Sequence, residues 1–530
     1  MKRLAYCGRT MPRAATAAVI FLLFVSASLS FSPVEPEARI ESCTSILVGK
    51  LASVDGSTMS SHSCDSNTDR TWMDIVPRRK HKKGDMASIW LNPKETKGPD
   101  DPDRIERGRI PQVEETYKFM NAAYPIMNEH QLAIGETTTG GKRELRSEAG
   151  VIDAPELYRL ILERAKTARE AIRIADQLTR QYGYNDWGEC FTFADLDEVW
   201  HFEILGPGKG KIGAVWAAVR LPDDHVGVSA NAHRIRQIDL NKKDYYIGSE
   251  NVFTLAREMG WWDPDSGQPF EFCYAYADRN AMGSRRREWR VLSLLAPALK
   301  LDPNAENYPL SVKPEKKVSP QDLLAIFRDT YDGTPFDMTR SLTVVNSKGE
   351  TVKSPVANPF MSADLRELFR IQRERLICSP TATYLQITQS RSWLPNPIGG
   401  LVWLGYDNPA ATPHMPFYIG ITQMPASFLV DGREKFRRDC AWWAFRRASK
   451  LSYIRYQQLS EEARKVWQPI EEAAFARQKE IEAEATRLYK TDPAKAEEYL
   501  TNYCHEIANR AVEAYWKLGD DIWSKYNNLF

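Results

Sequence analysis

The sequence predicts an α+β fold, and three observations carry that prediction. Thr44 to Ala52 (TSILVGKLA) is strand-like, Asp55-Gly56 is a hairpin turn signal, and Ser57 onward runs back as a second strand. Strand-rich sequence returns from Cys190 to Ile204 and from Gly213 to Val219, with turn residues between. Helical patterns fall before and after these strands instead of alternating with them, which is the signature of a layered α+β architecture.

The elements follow in order. The return strand brings the stretch from His62 to Asp65 alongside Cys43. Pro77 to Arg109 is charged and punctuated by Pro and Gly, and reads as a long loop. Asp153-Ala-Pro155 supplies an N-cap and a first-turn proline for a helix through Leu157, Leu160 and Ile161. Thr167 with Glu170 forms a capping box for the next helix, through Ile172, Ala175 and Leu178. Asp223 to Ile238 reads as a strand and its loop, and Tyr384 to Trp403 as strand mixed with proline-rich loop. Ser460 to Phe530 reads as two long helices. The second opens at Asp492-Pro493 and carries Leu500, Cys504, Ile507, Ala511, Tyr515 and Leu518 on one face, a stripe for core packing.

The first residues read as an address. Lys2, Arg3, Arg9 and Arg13 precede the apolar run Ala14 to Val25, and Ser26-Ala27-Ser28 closes it with small side chains. That is the pattern of a secretory signal peptide over residues 1–30, too short to span a bilayer comfortably. Residues 31–42, polar and proline-bearing, read as a propeptide or spacer. The expected location is secreted or periplasmic, with no membrane attachment after the signal is removed. Lys+Arg total 71 against 70 Asp+Glu, so no basic excess exists to bind a phosphate backbone, and nucleic acid is excluded as a partner. Of eight cysteines, Cys7 leaves with the signal; the odd remainder flags at least one free thiol in an oxidising compartment. No Cys or His pair has metal-ligand spacing, so no metal site is expected. Asp223-Asp224-His225 lacks partners at helical spacing, and Gly206 to Lys211 (GPGKGK) reads as a turn, not a phosphate cradle.

Cys43 begins the first convincing strand after the removable leader. A thiol at a new N-terminus has the free α-amino group as its own base: the two reference pKa values, about 8 and about 8.5, permit proton transfer between them. By spacing alone, a buried hydrophobe or a disulfide half is the plainer reading of this cysteine. Lipoprotein attachment is disfavoured by the charged residue in Ile40-Glu41-Ser42-Cys43 and by its distance from the apolar run.

Cys43-Thr-Ser-Ile-Leu-Val-Gly-Lys50-Leu-Ala-Ser53 with Asp55-Gly-Ser57 closely resembles the opening of the C69 dipeptidase family. The resemblance continues at Met127-Asn-Glu-His-Gln131 with Ile134-Gly-Glu136, at Gly188-Glu189 with Phe193-Ala-Asp195, and at Pro222 to His225 with Ala230-Asn231 and Arg234-Ile235. It ends at Arg391 to Asn396 with Gly405-Tyr-Asp407. That family belongs to the N-terminal-nucleophile (Ntn) hydrolases, beside choloylglycine hydrolases and penicillin V acylases. The resemblance implies a four-layer αββα sandwich over residues 43–455, with a C-terminal helical extension over 456–530 packed on it. It implies cysteine-type dipeptidase activity after cleavage between Ser42 and Cys43, with no metal or organic cofactor and short peptides as substrates; a homo-oligomer stays open. By the same resemblance Cys43 matches the nucleophile, Asp65 the aspartate that holds the α-amine and thiol, Asn231 an oxyanion-hole amide worth about 3 kcal/mol, and Arg287 an active-site arginine. Arg287 lies in Ser284 to Arg290, where a solvated charge run is an equal reading, and for Asn231 the residues alone favour a turn-former at a strand end. The superfamily often has an arginine three residues before the aspartate; here that position is His62, which titrates near neutrality where arginine stays charged. Glu136 and Thr138 fall on a substrate-facing loop. The alternatives are another amide substrate, of bile-salt or penicillin V type, and a non-catalytic secreted binding protein on the same scaffold.

Overall fold

The computed structural model describes residues 42–277 and 281–529. The signal-peptide expectation and the spacer up to residue 41 lie outside the described residues. The fold is α+β, built on two antiparallel sheets. The first has seven strands in the order Ser311–Val312, Val226–Ser229, Ser45–Val48, Thr58–Asp65, Ala382–Ser390, Leu401–Tyr406, Met415–Tyr418. The second has eight, with Ala133–Thr138, Glu189–Ala194, Val199–Leu205 and Val215–Arg220 adjacent at its centre.

The opening hairpin forms as its turn signal dictates. Leu47 pairs with Ser60 and Val48 with Met59, and Gly56 takes φ +89°, a conformation open to glycine at no steric cost. The bridge between Thr44 and Ser63 extends the pairing, so the chain before Thr44 runs beside the end of the Thr58–Asp65 strand. Ser42 N–H donates to the Asp65 carbonyl at 3.5 Å.

The two sheets meet through this hairpin, with Thr58–Asp65 packed on Ala133–Thr138 and Glu189–Ala194. Hydroxyls fill much of the junction: Ser45 Oγ and Ser60 Oγ lie 2.7 and 2.9 Å from Thr192 Oγ1, and Thr137 Oγ1 lies 2.5 Å from Ser229 Oγ. Gly135 lets the sheets approach, since a Cβ there would stand 2.4 Å from the Ser61 carbonyl oxygen. Helices Ala154–Leu162 and Ala168–Tyr182 accompany the eight-stranded sheet, the second of them against Glu189–Ala194 and Val199–Leu205. Helices Met282–Leu295 and Pro320–Phe327 pack on strands of the seven-stranded sheet.

Asp153 caps the first helix as expected, accepting from Glu156 N–H at 3.1 Å. Thr167 caps the second, but the capping box is incomplete. The Glu170 carboxylate accepts from Lys166 N–H at 2.8 Å instead of from Thr167, one residue earlier in the chain. The stretch Pro77 to Arg109 is not one loop: it holds the strand Met86–Trp90, paired with Glu106–Pro111. Its alternation of exposed and buried residues is visible only in MASIW, among charged neighbours that hide it. Asp223 to Ile238 contributes only Val226–Ser229 as strand. At the C-terminus, helices Tyr456–Thr491 and Pro493–Tyr526 pack on each other and on the Met415–Tyr418 edge strand, and the stripe from Leu500 to Leu518 is buried. Among the described residues no helix is long and apolar enough to cross a membrane.

Candidate functional site

Cys43 lies at the start of the opening hairpin, 4% exposed, and the seven described cysteines all stand as free thiols. Two guanidinium groups hold the backbone on either side of its N-terminal peptide bond. Arg287 Nη1 donates to the Cys43 carbonyl at 2.6 Å and to Thr44 Oγ1 at 2.9 Å, and its Nη2 reaches the Ala230 carbonyl at 3.1 Å and Asn231 Oδ1 at 2.9 Å. Arg375 donates from Nε to Ser42 Oγ and from Nη2 to the Ser42 carbonyl, both at 2.5 Å, and pairs with Asp65 Oδ2.

Arg287 is therefore no member of a solvated charge run. The helix Met282–Leu295 carries it inward, 2% exposed, with Arg286 and Glu288 also buried. Burial, then repulsion from Arg375, lowers its pKa to about 9.

His62, Glu136 and Cys43 converge from three separate stretches of chain, and one donor atom from each lies within 4.8 Å of the others. His62 Nε2 is 3.2 Å from Glu136 Oε2, with both side chains fully buried, yet neither imidazole nitrogen completes a hydrogen bond. Tyr124 and Tyr384 flank the imidazole edge-on, at centroid separations of 5.4 and 5.7 Å. A thiol, an imidazole and a carboxylate so placed are a donor set able to take a divalent cation, which residue spacing could not disclose because 74 positions separate His62 from Glu136.

Electrostatics divide these groups. Burial pushes the Cys43 thiol well above its ordinary value, and the nearby Glu136, Cys64 and Asp65 push it the same way. Asp65 is raised by burial against the opposing pull of Arg375 and Arg287. Burial also works against ionisation of Glu136, but His62 and Glu189 outweigh it and bring its pKa to about 2. Glu189 moves the other way, raised by burial and then by the Glu136 charge. The charge on Glu136 thus favours the protonated form of Glu189 within the pair.

Asn231 sits just past the Val226–Ser229 strand at φ +60°, the left-handed conformation a turn-forming asparagine adopts. Its amide Nδ2 donates to the Thr138 carbonyl at 2.8 Å while its Oδ1 accepts from Arg287. Glu136 and Thr138 stand in the strand Ala133–Thr138, not on the expected loop, because both are paired across to Glu189–Ala194. Thr138 Oγ1 donates to Glu136 Oε1 at 3.0 Å. All seven residues singled out from the sequence, Cys43, His62, Asp65, Glu136, Thr138, Asn231 and Arg287, therefore fall in one contact network around the hairpin start.

Sequence reasoning missed two members. Arg375 belongs to none of the motifs; it lies in irregular chain between the Ala363–Leu368 helix and the Ala382–Ser390 strand. Glu189 was visible only as part of Gly188-Glu189, and its signal was register: it pairs across from Thr138, beside Glu136.

The model of peptidase family C69 matches residues 42–469. A probable dipeptidase of Latilactobacillus sakei is 24% identical over 90% of this chain and 93% of its own length. Probable dipeptidase B of Lactococcus lactis is 25% identical over 91% and 94%, and a probable dipeptidase of Salmonella dublin 25% over 72% and 82%.

Proposed function

The chain belongs to peptidase family C69, and from that premise we propose that it hydrolyses dipeptides, with Cys43 as nucleophile once the bond before it is cut. The observation that carries this reading is the placement of Cys43: a buried thiol within 4.8 Å of an imidazole and a carboxylate, on backbone gripped by two arginines. The relatives named probable dipeptidases support the substrate class.

In this reading the freed α-amine of Cys43 takes the thiol proton, and the thiolate attacks the peptide carbonyl. Asp65, paired with Arg375, holds the new N-terminus. The Asn231 amide, turned from the Thr138 carbonyl, and a backbone N–H stabilise the oxyanion, and water then hydrolyses the thioester. Glu136, with Thr138 beside it, receives the substrate. A dipeptide carries its free ammonium two bonds from the carbonyl under attack, so an ionised carboxylate within 4.8 Å of the sulfur is placed to meet it. His62 stands at the position where an arginine was expected, and its imidazole lies 3.2 Å from Glu136.

The proposal extends to the scaffold. Two sheets in contact, with helices on each, support the four-layer αββα arrangement of Ntn hydrolases over residues 43–455, extended by the helices of 456–530. Residues 1–30 direct the chain to a secreted or periplasmic location, and 31–42 form the segment that is removed.

The test is the N-terminal residue of the mature protein, read by intact mass, together with hydrolysis of a dipeptide panel. A chain starting at Cys43 that cleaves dipeptides, with activity lowered at least about 10⁴-fold in Cys43→Ala, is the expected result. A stable chain that keeps residues before Cys43 overturns the mechanism, and activity only on conjugated acyl amides overturns the substrate class.

A further inference from the structure

The backbone preceding Cys43 shows which group could drive its own release. Arg375 is set rigidly: Tyr331 Oη donates to its carbonyl at 2.7 Å, and a Cβ on Gly283 would lie 3.1 Å from the Arg375 Cβ, so this stretch packs tightly on the Met282–Leu295 helix. Its side chain then points at Ser42, and two of its three terminal nitrogens reach both oxygens of that residue. One of these, the Ser42 carbonyl, is the electrophile of the Ser42–Cys43 bond. A guanidinium whose only task was to neutralise Asp65 would need no donor on the residue upstream of the thiol.

We infer that Arg375 is a catalytic residue for cleavage of the Ser42–Cys43 bond, stabilising the negative charge that forms on the Ser42 carbonyl oxygen. The inference rests on the proposed role of Cys43 and deepens it. The Cys43 sulfur attacks the Ser42 carbonyl carbon, closing a ring through its own Cβ, Cα and N. The C–N bond breaks, the thiol proton passes to the departing nitrogen, and Ser42 is left as a thioester on Cys43. Water adds to that carbonyl and the C–S bond breaks, returning the thiol and giving a Ser42 carboxylate and a free Cys43 amine. Both tetrahedral intermediates place negative charge on the oxygen that Arg375 already contacts at 2.5 Å. Arginine suits the task because it keeps its charge and offers a fixed fork of donors, here from a half-buried side chain. It also accounts for His62: the guanidinium absent three residues before Asp65 arrives from a different segment and pairs with the same aspartate.

The experiment follows conversion of the full chain from precursor to the Cys43 form by intact mass, for wild type, Arg375→Gln and Arg375→Lys, with folding checked by thermal melting. Conversion is expected to slow about 10²–10³-fold in Arg375→Gln, the usual loss for one oxyanion donor. Arg375→Lys, which keeps the charge and the Asp65 pair but loses the fork, is expected to fall between the two. If Arg375→Gln does not fold, Arg375→Lys decides: a folded lysine variant converting at the wild-type rate overturns the inference. Equal rates for wild type and a folded Arg375→Gln overturn it too, and leave the role of Cys43 standing. A wild-type chain that never converts sinks the proposed mechanism, and this inference with it.

Discussion

Two buried glutamates of the eight-stranded sheet, Glu136 and Glu203, each meet histidine, and the two clusters are built to opposite ends. Glu203 accepts from His201 Nε2 at 2.7 Å, from the Arg234 and Ile235 N–H groups at 2.5 and 3.2 Å, and its other oxygen lies 3.1 Å from His233 Nδ1. His233 Nε2 in turn lies 2.8 Å from both the Gly140 carbonyl and Thr139 Oγ1. Burial raises the Glu203 pKa, but His233 and His201 overcome it and hold the carboxyl well below its usual range. Glu136 is also ionised and fully buried, yet its Oε2 and both His62 nitrogens complete no hydrogen bond. A satisfied buried network rigidifies a fold, whereas unfilled donors and acceptors next to a thiol are capacity held for a ligand. The same pair of residue types thus forms a satisfied network in one place and, under the proposed function, a substrate-facing pair in the other.

Three substitutions sharpen or break that contrast. The largest effect is expected at the satisfied cluster. Glu203→Ala leaves two buried imidazoles and two N–H groups without their acceptor, and should cost about 3–5 kcal/mol in urea unfolding. A loss below about 1 kcal/mol would show that the network is not structural. Next comes Glu136→Gln, which keeps the shape and removes the charge. Dipeptide hydrolysis should fall about 10²-fold while unfolding shifts by less than about 1 kcal/mol. A large stability loss with activity per folded molecule intact would make the two clusters alike.

The smallest effect concerns Glu189. Its carboxyl is raised in the folded state by burial and by Glu136, with Asp186 adding to the rise and Lys94 opposing it. The unfolded chain releases this proton near about pH 4.3 while the folded chain keeps it. Stability therefore falls as pH rises above that value, by at most about 1.4 kcal/mol per pH unit, up to the folded pKa. Glu189→Gln retains a donor toward Glu136 without holding a proton. The variant should match wild type near about pH 4 and become progressively more stable than it toward neutrality. Parallel stability profiles would mean that Glu189 is not the protonated partner.

Local chemistry was readable wherever the cause was local. Asp55-Gly56 turned the opening hairpin, Asp153 and Thr167 capped their helices, and Asp492-Pro493 started the last one with its buried stripe. The capping box at Glu170 failed because Lys166 N–H competes for the same carboxylate. The strand at Met86–Trp90 was hidden because only five residues carry its alternation. Of the site, the residues within recognisable motifs were legible, and their partners were not: Arg375 sits 310 positions from Asp65, and nothing near it in sequence marks it.

The sequence by itself determined the α+β class and the hairpin that presents Cys43, because turn chemistry, capping and periodicity act over a few residues. The family was legible through the resemblance of its motifs. Only the tertiary structure decided that Arg287 is buried against the Cys43 backbone, that His62 faces Glu136, and that Arg375 grips Ser42. Those contacts follow from how two sheets and a helix pack, and packing is long-range: it brings together side chains whose separation along the chain carries no trace of their proximity.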